Sequence, residues 1–231
     1  STRIPGGSVA FGGIGCHTMA MGMGRNTLPP THMGGEGANW IGIAPFVKTA
    51  HVFQNLGDGT YFHSGLLALR AAVAAQVNIT YKVLYNAVVA MTGGQPVDGA
   101  LSVTDLVRQV LAEGIARCVV VTGAPDGYSE RVGLPPGVTV HHRDEMDAVQ
   151  RMLRDTAGVT VLVYDQVCAA EKRRQIKRKL LPAATRRVFI NDAVCEGCGD
   201  CSTKSNCVSV LPRQTPLGRK RAIDQSSCNE D

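Results

Sequence analysis

Short runs of β-branched and apolar residues alternate along the chain with segments in which apolar residues recur every three or four positions. The runs at 52–56, 79–84, 118–122 and 159–164 predict buried strands. The segments at 102–114 and 144–156 place their apolar residues on one face and predict helices. Alternation of strands and helices predicts an α/β fold with a parallel sheet flanked by helices.

The two helical segments carry further signals. Ser102 followed by Asp105 is typical of a capping box at a helix N-terminus, and Gly114 suits the left-handed residue that ends a helix. Met146 and Met152 fall on the apolar face of the second segment. We therefore interpret these methionines as core residues rather than cofactor contacts.

The length of 231 residues, 44% of them hydrophobic, allows one full domain plus a small appendage. The composition shifts after residue 182, so we predict an α/β domain over 1–186 and a small cysteine-bearing domain over 187–231. Because the chain starts at Ser1 without methionine and ends just after Cys228, we expect it to be a piece of a longer polypeptide.

The sequence also bears on location. It has no apolar run of about eighteen residues, which argues against a membrane span, and no leader of charged then apolar residues. Eight cysteines, four of them close together, suit a reducing compartment better than an oxidised secreted scaffold. We expect a cytoplasmic protein.

The net charge of +5 is concentrated in the segment 172–187, which is rich in lysine and arginine. Nucleic-acid binding would favour aromatic stacking residues among these charges, and the segment has none. We therefore predict a solvated basic helix and linker and no nucleic-acid partner. A docking site for an acidic partner or an anionic substrate tail stays open.

The most specific chemical signal is a cysteine loop. Cys195, Cys198 and Cys201 follow one another at steps of three, with glycines between them, and Cys207 comes soon after. Such steps are how ferredoxin loops hold an iron–sulfur cluster, whereas a zinc site normally separates two such pairs by a long gap. We predict a [4Fe-4S] cluster. Cys207 either completes it or belongs, with Cys228, to a second cluster.

A second candidate site begins at the end of the first apolar run. Gly57-Asp58-Gly59-Thr60 lies between a predicted strand and a predicted helix, where parallel sheets bind ligands and helix N-termini favour phosphate. Taken alone, this sequence fits an ordinary turn as well as it fits a ligand-binding loop. Twenty-six residues separate Gly59 from Asn86, however, and Asn86 follows the next strand. Side-chain oxygens of Asp58 and Asn86 are suitable ligands for a Mg²⁺ that bridges to a diphosphate.

This spacing resembles the signature of thiamine-diphosphate enzymes. The resemblance implies that Mg²⁺ is bound by Asp58, Asn86 and the backbone carbonyl of Val88. The sequence Thr92-Gly93-Gly94-Gln95 is similar to one that follows the metal site of 2-oxoacid:ferredoxin oxidoreductases. Residues from about 9 to 190 resemble the diphosphate-binding module of indolepyruvate ferredoxin oxidoreductase in its long fused form, which a ferredoxin-like insert follows.

Two glycine-rich segments extend the resemblance. Residues 13–17 are similar to the first strand turn of the cofactor domain, which touches the diphosphate in related enzymes, and residues 33–37 to a loop along the aminopyrimidine. Together with the first signature they imply a set of cofactor-binding residues: Cys16, His17, Gly34, Gly35, Gly57, Gly59, Thr60 and Asn86. For Cys16, a buried inert cysteine is the alternative.

The resemblance further implies an activity. The family decarboxylates an aryl 2-oxoacid of the indolepyruvate type oxidatively, transfers the acyl group to coenzyme A and passes electrons through iron–sulfur clusters to ferredoxin. It also implies a pyrimidine-binding module on the same or another chain, and a dimer of the full enzyme. The glutamate that activates the cofactor belongs to that module, so no catalytic residue is assigned here and Glu36 is not given that role. We expect this chain alone to be inactive.

Two other interpretations stay open. A non-oxidative thiamine-diphosphate decarboxylase or synthase would account for Asp58 and Asn86 but not for the cysteine loop. An iron–sulfur electron-transfer subunit without a catalytic cofactor would account only for the cysteines. We also interpret His63 as a packed helix residue, Cys118 and Cys168 as core, and Trp40 as packing against a helix.

Overall fold

In the computed structural model, which describes residues 2–99, 101–128, 133–182 and 185–228, the apolar runs become strands of one seven-stranded sheet. The strands of this unit are β1 (Val9–Phe11), β2 (Thr27–Leu28), β3 (Val52–Gly57), β4 (Ile79–Tyr85), β5 (Val88–Val89), β6 (Gln95–Pro96), β7 (Arg117–Thr122), β8 (Thr139–His142) and β9 (Val159–Asp165). The order in the seven-stranded sheet is β2-β1-β3-β4-β9-β7-β8, and every neighbouring pair is parallel. A separate short pair, β5 with β6, is antiparallel. The predicted parallel α/β sheet is therefore confirmed.

Helices cover both faces of this sheet. They are α1 (Ala38–Ile43), α2 (Asp58–Thr60), α3 (Leu66–Ala74), α4 (Val103–Ala112) and α5 (Met146–Arg154), with a π-helix at Tyr61–Gly65 and 3-10 turns that include Cys16–Met23 and Arg143–Glu145. The larger apolar cluster packs α1, α3 and α4 against one face of the sheet, and it includes Trp40 as expected. A smaller cluster packs α5 against the other face.

The predicted ends and faces of the helices agree with this packing. Ser102 forms the N-cap of α4, where its hydroxyl accepts a hydrogen bond from the Asp105 amide at 3.1 Å. Gly114 follows α4 with a φ of 84°, in the left-handed region that favours glycine. Met146 and Met152 pack beside the buried Val149 and Leu153 of α5, as core residues should.

The chain divides into two compact units, Ser1–Cys168 and Ala169–Asp231. The second unit contains α6 (Ala169–Lys177), α7 (Asp200–Ser205) and an antiparallel hairpin of β10 (Val210–Thr215) and β11 (Gly218–Ile223). The basic segment begins as the helix α6, where Arg173 donates a hydrogen bond from Nη2 to the Ser227 carbonyl at 2.7 Å. The ferredoxin-like character of this unit and the boundary at residue 186 stay predictions.

Across the described ranges of the chain, no helix is both long and apolar enough to cross a membrane.

The sheet contains one fully buried lysine. Lys82 of β4 is 1% exposed, and its Nζ donates a hydrogen bond at 2.9 Å to Oε1 of Gln150 on α5, which is also 1% exposed. The ammonium also lies 5.9 Å from the centre of the Phe53 ring. Burial lowers the pKa of Lys82 to about 7, because the charged form is poorly solvated there.

This lysine makes stability depend on pH in the alkaline range. Between pH 7 and the unfolded pKa near 10.5, the unfolded chain binds more protons than the folded one, so stability rises with pH. We expect the free energy of unfolding to gain about 2 kcal/mol more between pH 7 and 9 in the wild type than in Lys82→Met. Urea unfolding followed by fluorescence of Trp40, the only tryptophan, measures this difference. Lys48→Met, at an exposed position, is the control. Equal pH slopes in Lys82→Met and wild type would contradict the expectation.

Candidate cofactor site

A cavity of about 550 Å³ lies at the carboxyl ends of three neighbouring strands, β1, β3 and β4. Because the strands are parallel, the loops that follow them meet at one edge of the sheet. Residues 14–17 follow β1, residues 57–60 end β3 and begin the next helix, and Asn86 and Val88 follow β4; all of them line the cavity. The sequence places these loops far apart, and the fold brings them together.

The carboxylate of Asp58 connects two of these loops. Its Oδ2 accepts hydrogen bonds from the amides of Asn86, at 2.9 Å, and Ala87, at 2.7 Å. Its Oδ1 accepts one from the Gly59 amide at 2.8 Å. These three bonds fix the carboxylate between the ends of β3 and β4. A carboxylate has about four lone-pair positions, so capacity to bind a cation remains.

The loop after β4 supplies the other oxygen ligands. Asn86 Oδ1 accepts a hydrogen bond from the Val88 amide at 3.0 Å, which closes a tight turn. Ala87, between them, has a φ of 57°. The turn keeps the Asn86 side chain and Val88 on the wall of the same cavity as Asp58. A carboxylate, an amide and a backbone carbonyl are oxygen ligands of the kind that Mg²⁺ takes. The predicted metal residues therefore fit this ion.

Glycines leave part of the cavity wall bare. A Cβ atom built at Gly57 or Gly59 would meet no atom within 4 Å, although both residues line the cavity. From Asp58 a helical segment continues through α2, the π-helix and α3 to Ala74. Backbone that no side chain covers, at the N-terminal end of such a segment, suits an anionic group. The wall therefore fits a diphosphate.

His17 adds an uncharged imidazole to this wall. Its ring packs over two glycines, because a Cβ at Gly13 would lie 2.8 Å from Nε2 and one at Gly15 would lie 2.7 Å from Cε1. Burial, with the positive charge of Lys82 as a second cause, lowers the pKa of His17 to about 4. Nε2 is buried without a hydrogen-bond partner in the part of the chain that the structure describes. A neutral imidazole with an unused nitrogen is suited to contact a bound ligand.

The comparison with known families agrees with this geometry. The family described as "Thiamine pyrophosphate enzyme, C-terminal TPP binding domain" matches residues 13–164, well over half of the chain. This chain belongs to that family. The matched range contains the loops after β1, β3 and β4 that line the cavity. We call Ser1–Cys168 the thiamine pyrophosphate (thiamine diphosphate) domain below.

Two proteins with related sequences are subunits of indolepyruvate oxidoreductases. The chain is 27% identical over 180 residues to the indolepyruvate oxidoreductase subunit IorA of Thermococcus kodakarensis, covering 77% of this chain and 25% of that protein. For IorA of Pyrococcus abyssi the identity is 26% over 238 residues, covering 93% of this chain and 33% of the relative. The chain thus spans a quarter to a third of the length of these relatives.

A solved structure shares the fold. The 2-oxoglutarate:ferredoxin oxidoreductase from Magnetococcus marinus superimposes with a TM-score of 0.52 at 17% identity, covering 70% of this chain and 55% of that chain. At this level of identity the likeness concerns the fold alone.

The bare glycines of the thiamine pyrophosphate domain allow a test of the cavity. We expect Gly59→Ala to keep or slightly raise stability, because the methyl group meets open space and alanine favours a helix over glycine by about 1 kcal/mol. The same methyl group should hinder approach of a phosphate to the backbone and weaken thiamine diphosphate binding about tenfold, or about 1.4 kcal/mol. Calorimetric titration measures the affinity, and thermal unfolding measures the stability.

Gly42→Ala, at an open position of α1 outside the cavity, is the matched control. Full affinity in Gly59→Ala would exclude close phosphate contact at this residue.

Two predicted cofactor residues of the thiamine pyrophosphate domain do not line the cavity. Among residues 33–37, Met33 lines it, whereas Gly34 and Gly35 do not. Gly34 has a φ of 91°, and a Cβ there would clash with the Ser64 hydroxyl. Its amide donates a hydrogen bond at 2.7 Å to Oε2 of the buried Glu36. In this structure Gly34 is therefore required by packing, and the predicted cofactor contact of Gly34 and Gly35 stays untested.

Other cavity residues were missed or misjudged from sequence. Phe62 and His63 of the π-helix both line the cavity, and His63 is exposed rather than packed. Cys16 is also exposed and lines the cavity, so the alternative of a buried cysteine is wrong. Cys118 is buried as expected, but Cys168 is only half-buried and lines the cavity. Sequence reasoning could have found Cys168, because it lies shortly after β9 and therefore at the same edge of the sheet as the cavity.

The cysteine loop lies in the second unit. All eight cysteines of the chain are free. The backbone amides of Gly197 and Arg221 hydrogen-bond to Cys195 and, together with the charges of Lys220 and Arg221, lower the pKa of its thiol. Among the described residues, no three His, Cys, Asp or Glu side chains lie close enough to hold a metal ion. The arrangement of Cys195, Cys198, Cys201, Cys207 and Cys228 is thus not that of a formed cluster site, and their role stays a prediction from spacing.

Proposed function

We propose that this chain is the diphosphate-binding and Mg²⁺-binding part of an oxidoreductase that acts on aryl 2-oxoacids of the indolepyruvate type. The parent enzyme forms the acyl-CoA and passes electrons through iron–sulfur clusters to ferredoxin. The observation that carries the proposal is the junction of Asp58 with the Asn86 loop on one cavity wall, within a family that binds thiamine pyrophosphate. The names of the relatives, indolepyruvate oxidoreductase subunits, support the substrate.

In this proposal the polar groups at the ends of β1, β3 and β4 have binding tasks. Asp58, Asn86 and the Val88 carbonyl hold Mg²⁺, which the anionic Asp58 needs in order to tolerate a diphosphate nearby. The backbone at Gly57 and Gly59 and the nearby His17 contact the diphosphate. Thiamine diphosphate, when bound, supplies the electron sink for cleaving the bond between the carboxylate and the keto carbon.

The rest of the cavity wall is largely apolar. Its side chains include Ile14, Met33, Phe62, Val89 and Met91. Apolar walls exclude water from a reacting group and contact an aromatic ring favourably, so they support an aryl substrate.

The chain is only one part of the catalytic assembly. We assign no catalytic residue to it, because the glutamate that activates the cofactor belongs to a pyrimidine-binding module. Glu36 is no substitute, since it lies outside the cavity lining and its Oε2 is bonded to the Gly34 amide. A dimer of the parent enzyme and a cytoplasmic location, which eight free cysteines favour, complete the proposal.

The test is an anaerobic assay of the enzyme that contains this chain together with its pyrimidine-binding module. Indolepyruvate, pyruvate and 2-oxoglutarate are compared as substrates, with coenzyme A and a one-electron acceptor. The proposal requires coenzyme A-dependent acceptor reduction that is fastest with indolepyruvate. Release of an aldehyde without acceptor reduction would support the non-oxidative alternative. Iron without bound thiamine diphosphate would support the electron-transfer subunit instead.

A further inference from the structure

A second cavity, of about 470 Å³, lies at the opposite edge of the sheet. It is lined where β1, β3, β4 and β9 begin, by residues 7–9, 48–51, Asn78 and 154–157. The thiamine pyrophosphate site lies at the carboxyl ends of the strands, so the full length of the sheet separates the two cavities. Nothing in the proposed function uses this second cavity.

A buried histidine forms part of its wall. His51 is 7% exposed, and its Nε2 lies 2.7 Å from the hydroxyl oxygen of Thr80. The Thr80 hydroxyl lies 2.8 Å from that of Thr160, so the three side chains form a chain of hydrogen bonds. Within the described ranges, the buried Nδ1 of His51 has no hydrogen-bond partner. If Thr160 donates to Thr80 and Thr80 to Nε2, the proton of the neutral ring is on Nδ1.

The charges around His51 favour an anion. Arg154 and Lys48 line the cavity, and Asp155 is the one acidic side chain among its lining residues in the part of the chain described. Arg154 contacts Asp155 through Nε at 3.0 Å and the Ser8 hydroxyl through Nη1 at 3.5 Å. Burial and the charge of Arg154 lower the pKa of His51 to about 4, while Asp155 acts in the opposite direction. At neutral pH the cavity therefore has one excess positive charge.

We propose that this cavity binds a small molecule through a carboxylate or phosphate group. Nδ1–H of His51 and the guanidinium of Arg154 donate to the oxyanion, and the exposed Lys48 attracts it at the rim. A neutral imidazole donor beside a guanidinium matches an oxyanion, and a cation would be repelled. The volume lies within the range of about 300–1,000 Å³ that is usual for small-molecule sites.

The test is a titration of the protein with inorganic phosphate and, separately, with acetate. Calorimetry gives the affinity, and nitrogen-15 chemical shifts of the His51 ring report the contact. We expect saturable binding with a dissociation constant in the millimolar range or below. Arg154→Gln and Lys48→Gln should each weaken it about fivefold or more, or about 1 kcal/mol. Preference between the two anions identifies which oxyanion the site recognises.

The control variant is Arg151→Gln. Arg151 lies one turn earlier on α5, pairs with Asp147 at 2.8 Å and does not line the cavity, so its loss should leave anion affinity unchanged. Arg154 and Lys48 are not in the fold's apolar core, so their variants should fold. No saturable binding of either anion, or equal affinity in Arg154→Gln, Lys48→Gln and Arg151→Gln, would overturn the proposal. Thiamine diphosphate affinity, measured in the same variants, should stay at the wild-type value.

Discussion

Asp58→Ala should abolish metal-dependent binding of thiamine diphosphate. The variant loses the one anionic oxygen ligand proposed for Mg²⁺, so the diphosphate faces the cavity without its bridging cation. It also loses three hydrogen bonds, two of which connect the end of β3 to the loop after β4. We expect the affinity to fall about 100-fold or more, which corresponds to about 3 kcal/mol.

The measurement is a calorimetric titration of the complete enzyme with thiamine diphosphate at fixed, saturating Mg²⁺. Asp98→Ala is the matched control, because this carboxylate lines the same cavity but is not a proposed ligand. Asn86→Ala should weaken binding less than Asp58→Ala, since Asn86 supplies one neutral ligand that water can replace. Unchanged affinity in Asp58→Ala would refute the metal assignment.

A further variant separates the charge of Asp58 from its hydrogen bonds. Asp58→Asn keeps a side-chain oxygen that can accept from the amides of Asn86 and Ala87, but it loses the acceptor for the Gly59 amide and removes the negative charge. If the charge is what binds the cation, Asp58→Asn loses affinity nearly as strongly as Asp58→Ala. A loss confined to Asp58→Ala would show instead that the residue acts by holding the loop after β4.

The main strands could be predicted because burial on both faces leaves a continuous apolar run in the sequence. β3, β4, β7 and β9 are of this kind. The edge strands β2, Thr27–Leu28, and β8, Thr139–His142, were missed because they are short and only partly buried. The position of β9 between β4 and β7 could not be predicted from a local sequence pattern, because strand order depends on packing between distant segments.

The cofactor site likewise contains some residues that the sequence predicts and others that it does not. The meeting of Asp58 with Asn86 could be predicted, because β3 and β4 are consecutive parallel strands and their ends share an edge. Asp98 reaches the cavity from a segment without a signature, so only the fold reveals it, whereas the position of Cys168 just after β9 could have indicated its place. The buried Lys82 likewise looks like an ordinary strand residue until α5 supplies Gln150 as its partner.

A second large effect, loss of bound iron, is expected when a cysteine of the loop is replaced. Protein reconstituted anaerobically with iron and sulfide should bind both, and Cys198→Ser should lose most of the iron. Cys198 is the middle cysteine of the three and is exposed, so its replacement disturbs no packing. The thiamine pyrophosphate domain should stay folded, because the sheet lies in the other compact unit. Iron analysis and circular dichroism of the same samples test both statements, with Cys16→Ser as an exposed cysteine control outside the loop.

Cys207→Ser then distinguishes the two cluster arrangements. If Cys207 completes the cluster begun by Cys195, Cys198 and Cys201, its loss should remove as much iron as Cys198→Ser does. If it belongs with Cys228 to a second cluster, the iron bound by the first three cysteines should stay nearly unchanged. Five residues separate Cys201 from Cys207, more than in the common ferredoxin loop, so neither arrangement follows from spacing alone. Iron retained in Cys198→Ser, or stoichiometric zinc in protein purified without oxygen, would overturn the iron–sulfur interpretation in either case.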